Sequence, residues 1–576
     1  AVARASLREL AALVDRSLVH HTPTSSTGPG AGVGPEPGGR YEVHVLLRQY
    51  AEEKLEDAGR GNAVRDAHSA YYAAALGQWA ADLKGTRQQT ALAEMEVEID
   101  NARAAWEWAL GQRQVDRLAL GIDGLCTFYE CRGRFEEGAS SCQKLAQRLA
   151  SPAEDLTERA RLLAKVLVWQ SAFCRILGDT EGAERLLAEA TGYLEERVPT
   201  GKDARPEKAL LLLEAGRVAF QRGDHARAGQ YYTQSETLYR AIGDTWGVAQ
   251  ALSALGQVMH LNGEFDSAEG ILQESLALQQ SLGDRRGMAR TLIELSSTNI
   301  DRGRPEEAER LARQATSIRQ EIGDPSGVAN GLFVITCIHV FRGQFAEACS
   351  MFEDSIAVQR RLGNRVELAW GYSGLAWTQC NLGLYDQAWA NEEEALAIWQ
   401  ETGYRDGLAM DYMGLGGIAL AREAFSEARD WFEHSLTLSR EIGNRRDIAS
   451  SLAHLGLAER GLGRPALAWQ HLGEALRTAA EIGSRAPILT SLAGLAVLLA
   501  DEGDVERALA LYALATRYPD MRASRYYEDI TGRYVDAAAA TLPPERIEAA
   551  RERGRARDLD ATVMEVLAAC EARGVL

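Results

Sequence analysis

Residues 255–268 read Leu255-Gly256-Gln257-Val258-Met259-His260-Leu261-Asn262-Gly263-Glu264-Phe265-Asp266-Ser267-Ala268. Two segments with apolar residues at helical spacing meet at Gly263, and the arrangement returns every 40 residues. One glycine series runs Gly243, Gly283, Gly323, Gly363, Gly403, Gly443 and Gly483. A second runs Gly223, Gly263, Gly303, Gly343, Gly383, Gly463 and Gly503, broken only by Glu423. An alanine series is complete from Ala228 through Ala268, Ala308, Ala348, Ala388, Ala428 and Ala468 to Ala508. Three series in one phase mark a structural repeat. Gly243 and its equivalents follow an apolar residue and mostly precede Asp or Asn. That pattern reads as a helix C-terminus in the left-handed conformation followed by the cap of the next helix. Gly263 and its equivalents read as the turn inside a helical hairpin. The alanines fall early in the second helix, where a small side chain lets two helices approach. No hairpin buries its apolar face alone, so stacking must supply the core.

The chain length fits this reading. A single hydrophobic core stops growing at roughly 250–300 residues, and this chain has 576. The content of 54 Gly against 14 Pro suits two turns per repeat and uninterrupted helices. No apolar run approaches the ~18–20 residues of a membrane span, and no basic segment followed by an apolar one opens the chain, so neither a membrane nor a signal peptide is expected. The net charge of −19 argues against wholesale nucleic-acid binding, which needs a basic face. Residues 1–60 hold seven basic and eight acidic side chains, which suits packing better than phosphate contact. The eight cysteines form no C-x-x-C pair, so reduced thiols and a cytoplasmic location are expected.

The spacing of Leu255-Gly256, Gly263, Phe265 and Ala268 resembles the tetratricopeptide repeat, and Leu455-Gly456 repeats it. The motif's first-helix Trp is here Leu252, Leu292, Tyr372 or Tyr412, its final Pro is missing, and the period is 40 instead of about 34. The resemblance implies an all-α, right-handed solenoid. Regular repeats are expected over 206–518, degenerate ones over 115–205, a helical linker over 61–114 and capping helices over 519–576.

Residues 1–60 differ. A helix and short strand over 7–19, a Gly/Pro/Ser/Thr-rich stretch over 22–39 and a strand at 40–45 read as a partial winged helix with a disordered wing. The segments 10–19, 40–44 and 47–55 resemble the winged helix of bacterial STAND signalling ATPases, many of them LuxR- or SARP-type regulators. Glu98-Ile99-Asp100-Asn101-Ala102-Arg103-Ala104-Ala105-Trp106 resembles the segment leading into their repeats, and Leu542-Pro543-Pro544-Glu545-Arg546 with 552–559 resembles their close. The chain opens on Ala1, and no G-x-x-x-x-G-K-[ST] loop occurs. The resemblance therefore implies that the ATPase module, with its ATP and Mg, lies N-terminal to this chain. No cofactor is expected in the chain itself.

No catalytic or metal-ligand spacing stands outside the repeat pattern, so the fragment is not expected to be an enzyme. Recognition remains. By the tetratricopeptide register the concave face carries Gln257, His260, Arg290 and Asn330, then an apolar centre of Phe333, Phe341, Trp370, Trp377, Met410 and Met413, with Asn381 beside it. Large apolar groups on a nominally wet groove tend to mark binding sites. The alternative is that tight winding buries them between repeats. His260 reads as a hydrogen-bonding group. Asn330 and Arg290 are the only hints of a carboxylate clamp, so a chaperone adaptor is disfavoured. Arg285, Arg286, Arg445 and Arg446 are expected as solvated charge on one edge. The resemblance implies a sensor that binds an unidentified inducer (small molecule, peptide or protein) and restrains the ATPase in cis, oligomerising only when the full-length protein is activated. The alternative is a constitutive protein-interaction scaffold.

Overall fold

The computed structural model describes residues 13–14, 20–23, 39–150, 156–199 and 203–576. Most of the expected helix and strand over 7–19, and of the wing loop 22–39, lies outside the described residues. Two short strands, β1 (His20–Pro23) and β2 (Gly39–Glu42), pair antiparallel, with His20 opposite Glu42 and Pro23 opposite Gly39. Everything else of regular structure among the described residues is helical.

The chain divides into two compact units, Ala1–Ala81 with Ala91–Thr127, and Asp82–Thr90 with Phe128–Leu576. In the first, Gly61–Asp82 packs along Gln88–Gly111 around Leu76, Leu92, Met95 and Trp106. The Glu98 carboxylate accepts from the Tyr72 hydroxyl and from Asn101 Nδ2, both at 2.6 Å. That pairing explains the Glu and Asn of the Glu98–Trp106 segment: one acid ties its own helix to the neighbouring one.

The second unit is the repeat array. Eight first helices start 40 residues apart: Arg205–Gln221, Thr245–Leu261, Arg285–Asp301, Pro325–Phe341, Arg365–Asn381, Arg405–Ala421, Arg445–Gly461 and Arg485–Asp501. The second helices follow in the same phase, from His225–Ile242 to Val505–Ala515. The sequence signals act as expected. Gly243 (φ 74°) and its equivalents close the second helices in the left-handed region, where Gly carries no Cβ penalty. Asp244, Asp284 and Asp324 then cap the next helix, accepting from the amides of Gly247, Gly287 and Gly327 at 2.9–3.0 Å. All eight series alanines are fully buried. A serine in several second helices bonds back to a first-helix carbonyl, as in Ser275 to Ala249 (2.8 Å) and Ser435 to Ala409 (2.7 Å).

The repeats wind tightly enough for successive turns to touch. His225 meets Asp406 (3.0 Å), the Thr180 hydroxyl donates to the Thr402 carbonyl (2.8 Å), and Arg132 donates to the Gly323 carbonyl (2.8 Å). These partners lie 181 to 222 residues apart, about five repeats. Several hairpin glycines lie close against the next turn. A Cβ on Gly223 would come 2.5 Å from Ile442, and one on Gly263 2.7 Å from Ile482. Gly463 and Gly503 have nothing within 4 Å.

The chain then turns back on the last repeats. Pro519–Ala523, Arg525–Tyr527, a π-turn at Glu528–Gly532 and Arg533–Ala539 pack against repeats four to eight. Ser524 donates to Asn381 Oδ1 (2.7 Å), Tyr385 donates to Asp529 (2.7 Å), and Tyr526 is fully buried.

Candidate functional site: the inner face of the repeats

The first helices turn their polar residues inward, and ionisable groups from distant repeats meet there. Arg290 donates to Gln250 Oε1 at 2.7 Å; among the described residues it has no carboxylate partner. Arg217, Arg286 and Arg319 surround it with Glu130. Burial, reinforced by the three neighbouring guanidiniums, lowers the Arg290 pKa to about 9. Arg286 pairs with Glu130 (3.2 Å) and lies 4.0 Å from Asp324. Burial alone would raise the Glu130 carboxyl, but Arg286 outweighs it and holds the group at about 2. Arg217 shares Glu214 with Arg175, at 3.3 Å and 2.6 Å.

A second group lies deeper along the array. His260 uses both ring nitrogens: Nδ1 is 3.0 Å from the Thr298 hydroxyl and Nε2 is 3.1 Å from Asp301. Arg446, from the next turn, completes the group at 3.2 Å from Asp301. Burial disfavours the Asp301 charge, yet Arg446 and His260 hold its pKa at about 2. Glu294 and Glu367 face the same interior without an ion-pair partner among the described residues. Burial raises both, Glu294 to about 7. Asn330 donates to Glu367 at 3.3 Å.

The apolar candidates are placed differently. Phe333 meets Phe352 edge-on at 5.5 Å, and Trp370 meets Trp399 and Tyr404 at 5.1 and 5.9 Å. Trp377 packs edge-on against Tyr526 at 5.5 Å, and Phe341 lies 5.7 Å from the Arg485 guanidinium. Asn381 is buried between the Trp377 carbonyl and Ser524. Met413 joins the core of the last repeats, while Gln257 and Met410 are half-buried. His260, Arg290 and Asn330 thus bond to Thr298 and Asp301, to Gln250 and to Glu367 respectively, whereas the half-buried aromatic residues pack mainly against other aromatic side chains of the chain.

The edge arginines divide. Arg285 and Arg445 are exposed and pair with Glu321 and Glu481, and Arg365 and Arg405 repeat the arrangement with Glu401 and Glu441. Arg286 and Arg446, expected as solvated, instead turn inward to Glu130 and Asp301. Their partners come from other turns of the winding, which the repeat register does not encode. Arg217 carried a readable signal, since it lies 40 residues before Gln257 at the same register position. Glu130, Glu294 and Glu367 carried none, because they lie off the concave positions or outside the regular repeats. No group of three or more His, Cys, Asp or Glu suited to a metal occurs among the described residues.

Comparison with known proteins agrees with the architecture. Residues 207–281, 247–321 and 338–401 match the tetratricopeptide repeat. Over 251 residues, 43% of this chain, the sequence is 28% identical to the "Putative HTH-type transcriptional regulator Rv0890c" of Mycobacterium tuberculosis (strain ATCC 25618 / H37Rv). The match spans 26% of that relative's length. A Rap protein crystallised with competence and sporulation factor superposes with a TM-score of 0.52 at 12% identity, over 64% of this chain and 99% of that one. A STAND protein with a tetratricopeptide repeat sensor from Pyrococcus horikoshii covers 69% of this chain and 58% of its own, at 14% identity and a TM-score of 0.35. The fold of the repeat array is a tetratricopeptide-type α-solenoid.

Proposed function

We propose that this chain is the sensor region of a STAND-type signalling ATPase, acting in the cytoplasm. The inner face of its repeats binds an inducer, and that binding relieves restraint on an ATPase module expected outside this sequence. The carrying observation is the set of inward-facing ionisable groups that make no ion pair among the described residues: Arg290, Glu294 and Glu367. Enclosed charges are normally paired, because leaving them unpaired costs folding free energy. Departures of this kind concentrate at functional sites. On the outer edge, by contrast, Arg285, Arg365, Arg405 and Arg445 each pair with a glutamate.

The residues proposed to meet the inducer are Gln257, His260, Arg290 and Asn330. Phe333, Phe341, Trp370, Trp377, Asn381, Met410 and Met413 form the wall that fixes the later repeats. The similarity to a transcriptional regulator and the winged-helix resemblance of residues 1–60 support a place in a signalling chain. An inducer switches such a protein only if it binds the released state better than the restrained one.

The test is nucleotide exchange by the full-length protein. Removal of residues 203–576 should speed exchange and promote oligomerisation. Unchanged exchange, with a protein partner held by the repeats at high salt, would favour the scaffold reading instead.

A further inference from the structure

We infer that Arg290, with Arg217 and Arg286 beside it, forms an anion-binding site on the inner face of repeats one to three. It takes a carboxylate or phosphate group of the ligand. The inference deepens the reading of that face as ligand-binding and rests on it.

Three observations converge. Arg290 makes a single side-chain hydrogen bond, to the neutral Gln250 at 2.7 Å, which leaves the rest of its planar fork free. That fork is the group best matched to a planar carboxylate or a phosphate, each of which accepts two parallel hydrogen bonds. Arg217 has one bond, at 3.3 Å to Glu214, and is 26% exposed. It therefore also keeps free donors, and it reaches the site from another repeat. The charges that act most strongly on Arg290 are those of three arginines and one glutamate. Of the acids nearby, Glu130 is held by Arg286, Glu214 by Arg175 and Arg217, and Asp324 by Arg319 and Arg286. Glu294, four residues on along the same helix, makes no ion pair with Arg290, and burial raises its pKa to about 7. Arg286 Nε, although buried, has no hydrogen-bond partner among the described residues. A cation held among cations, with its donors unfilled, gains most from an external anion.

Other buried arginines of the repeats find acids in the chain. Arg446 takes Asp301 and Asp447, and Arg319 takes Asp324. The unfilled donors of Arg290 thus contrast with the paired guanidiniums of Arg446 and Arg319. Because Arg217 and Arg290 belong to the first and third repeats, a bound anion would tie the two repeats together. That gives the site a mechanical output as well as affinity.

The experiment uses the whole chain at constant ionic strength, with inorganic phosphate and glutarate as separate probes and chloride as reference, read by calorimetry and thermal shift. At least one probe should bind the wild type and raise its melting temperature. Arg290→Met should weaken that binding about tenfold or more, and Arg290→Lys, which keeps charge but loses the fork, by an intermediate factor. Arg285→Met, on the outer edge, should bind as the wild type does. Phosphate binding without glutarate binding assigns a phosphate ligand, and the reverse a carboxylate. Equal binding by Arg290→Met, or no binding of either probe by the wild type, overturns the site. If Arg290→Met does not fold, Arg290→Lys decides: affinity equal to wild type overturns the inference. A neutral small molecule retained by the wild-type chain, with neither probe binding, would sink the anion site and leave the ligand-binding reading standing.

Discussion

At single residues, the hairpin glycines carry two constraints that separate along the chain. Gly263 has φ +80° and would place a Cβ 2.7 Å from Ile482, whereas Gly463 has φ +73° and open space around it. Gly463→Ala should therefore cost about 1 kcal/mol, the backbone penalty alone. Gly263→Ala should cost about 2–4 kcal/mol, because the next turn must also give way; urea unfolding of both variants measures the difference. Glu423 breaks the series at φ 61°, past the last full turn, and its carboxylate pairs with Arg533. In an Arg533→Met background, which removes that pairing, Glu423→Gly should stabilise by about 1 kcal/mol. The glycine series was legible from its period. The reason for the exception was not, because it depends on which turns have a neighbour.

A second residue-scale case is the buried acid pair Glu392 and Asp411, where the Ser373 hydroxyl donates to Asp411 at 2.7 Å. Burial pushes Asp411 up to about 7, and burial with the neighbouring Asp411 pushes Glu392 well above its ordinary range. The folded state holds protons that the unfolded chain releases above its ordinary carboxyl pKa of about 4. Stability is then full below about pH 4 and is lost as the pH rises through about 7. Glu392→Gln keeps the site neutral and should flatten that loss by roughly 1–3 kcal/mol between pH 5 and 8. Chemical denaturation across that range is the check, and an unchanged slope would contradict the assignment.

Among elements, the C-terminal return from Pro519 to Ala539 does what no repeat can do for itself: it covers the apolar surface of the last turn. Tyr526 is its anchor, fully buried against Trp377, with a hydroxyl that has no hydrogen-bond partner among the described residues. Tyr526→Ala should cost about 3–5 kcal/mol through the cavity it leaves. Tyr526→Phe should be neutral or stabilising by up to about 1 kcal/mol, since it removes an unsatisfied polar group. A large loss in Tyr526→Phe would show that the hydroxyl has a partner. Helix boundaries, caps and small-residue contacts were legible because each is written locally and forty residues later written again. The return was not: its residues carry no period, and what it covers is set by where the winding stops. The aromatic residues at concave positions illustrate this, for Trp370 and Trp377 obey the register yet pack with Trp399 and Tyr526.

For the repeat array as a whole, the decisive property is closure of one turn upon the next. It arises from curvature per repeat, a sum of small rotations that no single motif encodes, and it brings Asp301 to Arg446 across 145 residues. Arg446 and His260 hold Asp301 ionised, so this contribution is present above about pH 4 and fades as the pH falls through about 2. Asp301→Asn leaves Arg446 with one fewer anion in an enclosed place and should cost about 2–4 kcal/mol, measured by unfolding at pH 7. The polar inner face is proposed as the site over the aromatic stretch because Arg290, Glu294 and Glu367 make no ion pair among the described residues there. The most direct test is hydrogen exchange of the whole chain with and without saturating phosphate or glutarate, whichever binds. Slowed exchange is expected in the first helices Arg205–Gln221 and Arg285–Asp301, which carry Arg217, Arg286 and Arg290. Protection confined to the second helices His225–Ile242 and Pro305–Ile322, or absent from the repeats altogether, would contradict it.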